Sequence, residues 1–155
     1  VNEKNILTTV LILESTIKRI MQSSKQPRID TLFREVVNAF PDKVAITTGN
    51  EQLTYKELNE YSDAICNHII KNKLSSSTYI GVCFKKSAHA IIHILGILKA
   101  GYAYVPIDPQ YPVERINYII EDSKLNVIFS DNETTIDDTI ENVTIERVNL
   151  KAILN

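Results

Sequence analysis

The stretch from Ala88 to about Ala100 reads as a helix that is apolar on nearly every side, and no other feature constrains the fold as strongly. A helix of that kind must be covered on more than one face, by a sheet and by something else. Ser87 stands in the position of its cap. Lys99 falls in the last turn, favourable to the carbonyl end of the dipole, and Gly101 sits where a left-handed terminating residue is needed. The chain then enters a strand at once through AYVPID, and Pro106 and Pro109 bracket Asp108 in a stiff turn. The run LKAGYAYVPID, from Leu98 to Asp108, therefore holds a helix end, its stop, a strand and a turn.

Upstream, Ile6, Leu7, Val10, Leu11, Leu13, Ile17, Ile20 and Met21 recur at helical intervals, with Glu14, Lys18 and Arg19 on the polar side. Ser23 to Arg28, which contains Pro27, reads as a linker, so residues 1–27 form an amphipathic helix and linker set apart from 28–155, with the end of an upstream domain or a docking segment as the readings open for it. Asp30 is expected to cap a helix through Phe40 whose buried face is Leu32, Phe33, Val36, Val37 and Phe40, with Pro41 ending it. Lys43 to Thr48 reads as a strand, Gly49-Asn50 as a turn, and a second short strand runs into Leu53.

LTYKEL, Leu53 to Leu58, carries its own physical explanation. Thr54 and Glu57 have capping-box spacing, so a helix starts there and runs to about Lys73, with Leu58, Tyr61, Ala64, Ile65, His68 and Ile69 on one face. Ser77 to Phe84 reads as a buried strand. Pro112 is placed at the first position of a helix to about Asp122, with Val113, Ile116, Ile119 and Ile120 inward. Leu125 to Phe129 is a further strand, Asp131 to Asn142 a polar connection, and Val143 to Val148 a last strand. Strands alternating with helices predict an α/β fold with a mostly parallel sheet and right-handed crossovers.

The balance of 17 Lys and Arg against 19 Asp and Glu gives a net charge of -2 and no basic footprint for nucleic acid. With 44% hydrophobic and 23% charged residues, the composition is that of an ordinary globular domain. Apolar runs stop well short of the ~18 residues that span a bilayer, and the patch from Ile6 to Leu13 lacks the flanks of an export signal. Cys66 and Cys83 fit neither a metal pair nor a disulfide framework and read as small apolar residues in a reducing cytoplasm. The acceptor patterns at Asn132 and Asn142 have no meaning without export.

Each feature that invites a chemical reading has a plainer one. His89 and His93 share the spacing of zinc-protease ligands, but Ala90 replaces the required Glu, and they read as packing residues, as does His68. Ser75, Ser76 and Ser77 lack the glycines and lysine of a phosphate loop, and the four glycines, Gly49, Gly81, Gly96 and Gly101, form no dinucleotide or phosphate-cradling motif. Asp108 reads as a turn-capping carboxylate. No catalytic, cofactor-binding or metal-binding residue is assigned.

Taken together, LTYKEL and LKAGYAYVPID resemble the first and second core motifs of the amino-acid adenylating domains of nonribosomal peptide synthetases. The resemblance extends from about Thr31 to Asp131, through LFREVVNAFPDKVAI and DPQYPVERINYIIEDS. Asp108-Pro109, with Tyr111-Pro112 and Glu114-Arg115, favours this branch over the aryl and acyl-CoA ligases, which usually carry Asn-Pro there. It implies a parent enzyme that joins an amino acid to the α-phosphate of ATP with Mg²⁺ and passes the aminoacyl group to a carrier-domain phosphopantetheine thiol. The family's phosphate loop, specificity pocket, ribose-binding Asp, hinge and catalytic Lys belong to later motifs. The chain is therefore expected to be the first portion of the large subdomain of an adenylate-forming enzyme, inactive alone. Its implied partners are the remainder of that domain and condensation and carrier domains, in the cytoplasm, with neither membrane nor nucleic acid. A naturally short, inactive binding module that contacts a synthetase is the alternative expectation.

Overall fold

A computed structural model of the chain describes residues 28–49, 51–85, 87–132, 134, 140 and 143–149. The expected helix from Ile6 to Met21, and with it the proposed boundary near Pro27, lies outside these residues. The order is α1 (Ile29–Ala39), β1 (Val44–Thr48), β2 (Glu51–Thr54), α2 (Tyr55–Asn72), β3 (Tyr79–Cys83), α3 (Ala88–Lys99), β4 (Ala103–Pro106), α4 (Val113–Ser123), β5 (Val127–Ser130) and β6 (Thr144–Arg147).

β1 and β2 form an antiparallel hairpin, with Gly49 turning at φ 58, and the other strands make a four-stranded parallel sheet in the order β4-β3-β5-β6. The period of two along the central strands sorts their side chains onto two faces. Ile80 and Val82 of β3, with Val127 and Phe129 of β5, join Leu58, Ile65 and Ile69 of α2 and Ile92, Leu95 and Ile97 of α3 in one cluster. Cys83 and Ile128 point the other way, to Ile107, Leu125 and the α4 residues Ile116 and Ile120. The sheet is thus covered on both faces, which explains why β3 and β5 are nearly continuous apolar runs. From β3 the connections step first to β4 and later to β5 on the opposite side, with α3 and α4 on opposite faces. One crossover hand requires that arrangement.

α1 departs from expectation in two ways. Arg28, not Asp30, is the N-cap residue; Asp30 lies in the first turn and accepts a 2.9 Å bond from Arg28 Nε instead of capping the backbone. None of its residues is buried: of the expected buried face, Leu32, Val36 and the C-cap residue Phe40 are exposed, and only Phe33 and Val37 are half-buried. The amphipathic stripe exists, but most of it faces away from the body.

Of two other helix starts, that of α3 falls where expected but lacks its cap bond, and that of α4 shifts by one residue. Ser87 is the N-cap residue of α3 but makes no side-chain cap bond, and its buried hydroxyl has no partner among the described residues. Pro112 precedes α4 as N-cap, with ψ 148, rather than opening it. By contrast, the capping box of α2 forms fully. Glu57 N donates to Thr54 Oγ1 at 3.2 Å, and Thr54 N donates to Glu57 Oε2 at 2.8 Å. Gly101 has φ 88, the left-handed stop that the sequence predicts after α3.

Candidate functional site

In open parallel sheets ligands bind beyond the carboxyl ends of the strands, where the strand order reverses. Here that edge is built by Cys83 and Phe84 at the end of β3, Ile107 and Asp108 after β4, and Ser130 and Asp131 at the end of β5. An open depression of about 630 Å³ lies there, lined by Phe84, Lys85, Ile94, Pro106, Asp108 and Tyr111 among others.

The polar groups at this edge are engaged in building it. Asp108 Oδ1 accepts from the Gln110 amide at 2.9 Å, and its carbonyl accepts from the Tyr111 amide at 3.1 Å, so Asp108 is the turn-capping carboxylate the prolines imply. Asp131 Oδ1 accepts from the Thr134 amide at 2.7 Å. Burial pushes the Cys83 thiol up to about 11, and the carboxylates of Asp108 and Asp131 push the same way. A thiol held protonated in this manner is a poor nucleophile.

The two histidines of α3 do not act together. His89 is exposed, whereas His93 is 1% exposed, with its ring stacked at a tilt between Phe84 at 4.6 Å and Phe129 at 5.1 Å. Its Nδ1 lies 2.7 Å from the His89 carbonyl, which can only accept, so Nδ1 carries the proton. Burial holds this imidazole down at about 4, and it is neutral at physiological pH. Among the described residues no group of three His, Cys, Asp or Glu is placed to hold a metal ion. His68 is half-buried on α2, 3.6 Å from Glu146 of β6.

The serine run at the opposite end of the sheet forms a loop held from below. Ser75 Oγ donates to Asn126 Oδ1 at 2.8 Å, and Asn126 Nδ2 donates to Ser76 Oγ at 3.1 Å.

The most concentrated polar cluster is one that sequence spacing did not single out. Lys99, expected to favour the carbonyl end of its own helix, reaches across to α2 instead. Its Nζ donates to Asn59 Oδ1 at 2.8 Å, Ser62 Oγ at 2.7 Å and Asp63 Oδ1 at 2.8 Å, and lies 5.2 Å from the Phe33 ring centroid. The cation ties α1, α2 and α3 together within the LKAG run. The signal was present as three polar residues, Asn59, Ser62 and Asp63, breaking the apolar face of α2, with Lys99 the one cation on α3.

Residues 33–154 match the family described as AMP-binding enzyme. The chain is 44% identical over 102 residues to gramicidin S synthase 1 of Brevibacillus brevis, across 66% of this chain and 9% of that protein. It is 36% identical over 129 residues to tyrocidine synthase 1 of Brevibacillus parabrevis, across 83% of this chain and 12% of that one. Among solved structures, the N-terminal subdomain of NpsA from Klebsiella oxytoca superposes with a TM-score of 0.72 at 21% identity, over 83% of this chain and 33% of the subdomain. The chain thus spans a small part of the length of the relatives it matches.

Proposed function

Because this chain belongs to the family of AMP-binding enzymes, we propose that it forms the first part of the large N-terminal subdomain of an amino-acid adenylating domain in a nonribosomal peptide synthetase. Its role there is that of a scaffold. The observation that carries this reading is that both core motifs are structural joints. LTYKEL supplies the capping box of α2, and LKAGYAYVPID supplies the Lys99 cluster, the Gly101 stop and the edge strand β4. The one carboxylate the motifs bring to the depression, Asp108, is engaged in its own turn, where it accepts from the Gln110 amide.

In the complete enzyme an amino-acid carboxylate attacks the α-phosphate of ATP with Mg²⁺ bound, pyrophosphate leaves, and the aminoacyl group then passes to the phosphopantetheine thiol of a carrier domain. The groups that bind nucleotide and amino acid belong to other parts of the domain, and no residue of this chain is assigned to catalysis, cofactor or metal. The parent works in the cytoplasm beside condensation and carrier domains; among the described residues no helix is long and apolar enough to cross a membrane. Kinship to gramicidin, bacitracin and mycosubtilin synthases supports a peptide-antibiotic class of product.

Amino-acid-dependent exchange of pyrophosphate into ATP tests this directly. The chain alone should give none, because phosphoryl chemistry needs a cation-rich cradle and metal-binding carboxylates around the nucleotide. Co-expression with the remainder of an adenylating domain should restore it. Exchange by the isolated chain overturns the scaffold reading, and failure of rescue supports an inactive binding module instead.

A further inference from the structure

The ring of His68 sits between polar partners on two different elements. Its Nδ1 lies 3.1 Å from Asn72 Nδ2 at the end of α2, and its Nε2 lies 3.6 Å from Glu146 Oε2 on β6. Asn72 Nδ2 also donates to the His68 carbonyl at 3.0 Å, and a carbonyl can only accept, so the nitrogen end of the Asn72 amide is the end turned to the ring. Nδ1 therefore accepts, and the neutral ring carries its proton on Nε2, aimed at the carboxylate. That nitrogen is buried, and at 3.6 Å it makes no hydrogen bond.

β6 depends on few contacts. It is the outermost strand of the sheet, paired with β5, and none of its residues is buried. Beyond that ladder, Ile145 packs toward the α4 side of the sheet, Val148 just past the strand packs toward the α2 and α3 side, and Glu146 faces His68. The His68 and Glu146 side chains are 23% and 27% exposed, so water screens their interaction only in part.

We propose that His68 is a proton-operated latch between α2 and β6: Asn72 holds the neutral ring, and a proton taken up at Nδ1 releases Asn72 and draws Glu146 to Nε2.

The two contacts compete for one ring. A proton on Nδ1 turns an acceptor into a donor that faces the donors of Asn72, which breaks that bond, while the imidazolium attracts the Glu146 carboxylate as an ion pair. The edge strand gains what the last turn of α2 loses. Histidine is the side chain that ordinarily changes charge across the physiological range. The other titratable groups nearby have different roles. His93 on α3 is held down at about 4 by burial and stays neutral, Asp131 at the end of β5 acts on His93, and His89 is exposed on α3. Lys71 is exposed on α2 itself, and alternation along β6 sends Arg147 to the face opposite Glu146.

The test uses the full chain. In nitrogen NMR spectra of the histidine rings at about pH 8, His68, assigned by its loss in His68→Gln, should be the Nε2–H tautomer; an Nδ1–H ring overturns the proposal. Hydrogen exchange, corrected for intrinsic rates, should show the protection of β6 relative to β5 rising at least about threefold from about pH 8 to about pH 5.5, a range that stays above ordinary carboxylate titration. His68→Gln and Glu146→Gln should each abolish the rise. Asn72→Ala should keep it and move its midpoint to higher pH, because the bond that favours the neutral ring is gone. A constant ratio in the parent chain overturns the latch, as do an equal rise in Glu146→Gln and an unmoved midpoint in Asn72→Ala.

Discussion

Lys99 Nζ sits 2.8 Å from Asp63 Oδ1, yet the two ends of this pair occupy different environments: the lysine side chain is 3% exposed and the aspartate side chain 49%. The cation is therefore committed to the helix interface, while much of the carboxylate still faces water. An exposed ion pair contributes little, but a buried ammonium with three further oxygens around it cannot be removed without orphaning its acceptors.

Lys99→Met should accordingly destabilise the chain by about 2 kcal/mol, and Asp63→Asn by less than half of that. Lys99→Arg should also cost stability, because a planar fork does not fit oxygens arranged around one point. Urea midpoints measure all three; a Lys99→Met midpoint equal to that of the parent chain would show that the cluster is incidental.

The capping box gives a second expectation. Thr54→Ala should cost about 1 kcal/mol, and its effect should be non-additive with that of Glu57→Ala in a double-mutant cycle. The Thr54 amide, followed by its hydroxyl, holds the Glu57 carboxyl below its ordinary 4.5. A depressed acid pKa contributes stability that is complete above 4.5 and is lost as pH falls through the folded-state value, so Glu57→Gln should flatten the acid limb of the stability curve.

Gly96 and Gly101 should respond differently to alanine. A Cβ at Gly96 would lie 2.5 Å from Ile65 Cγ2 and 3.0 Å from the Ser62 carbonyl, so the close approach of α2 and α3 forbids it. At Gly101 a Cβ meets nothing within 4 Å, and the obstacle is φ 88 itself. Gly96→Ala should cost about 2 kcal/mol through overpacking, despite the better helix propensity of alanine. Gly101→Ala should cost about 1 kcal/mol through backbone strain, and Gly101→Asn less, since asparagine tolerates left-handed geometry. Thermal melting of the three variants separates the two causes.

His93 should make the chain acid-sensitive well above the carboxylate range. Its folded value of about 4 lies below the ordinary 6.5, so the unfolded chain takes up a proton that the folded chain refuses. The contribution is complete above pH 6.5 and declines until pH reaches about 4, a loss of roughly 3 kcal/mol over that window. His93→Leu should remove most of this slope between pH 4 and 6.5 in urea titrations; an identical slope in the variant would mean that His93 is not the titrating group.

Much of what rests on local rules was legible in the order of residues alone, although the caps expected from Asp30 and Ser87 did not form and Pro112 stands one position earlier than read. The Thr54–Glu57 box, the Gly101 stop, the Asp108 turn and the alternation of strands and helices follow from spacing and residue type within a few positions, and each is present. The motifs also carried the family, because they keep fixed order and distance along the chain. Partners distant in sequence needed the folded structure. Lys99 finds oxygens on a helix more than thirty residues earlier only because the apolar faces of α2 and α3 set the two side by side. The stripe on α1 has the period of a buried face, but period alone cannot say which neighbour covers it. Only packing shows that the body takes Phe33 and Val37 and leaves Ile29, Leu32, Val36 and Phe40 outside.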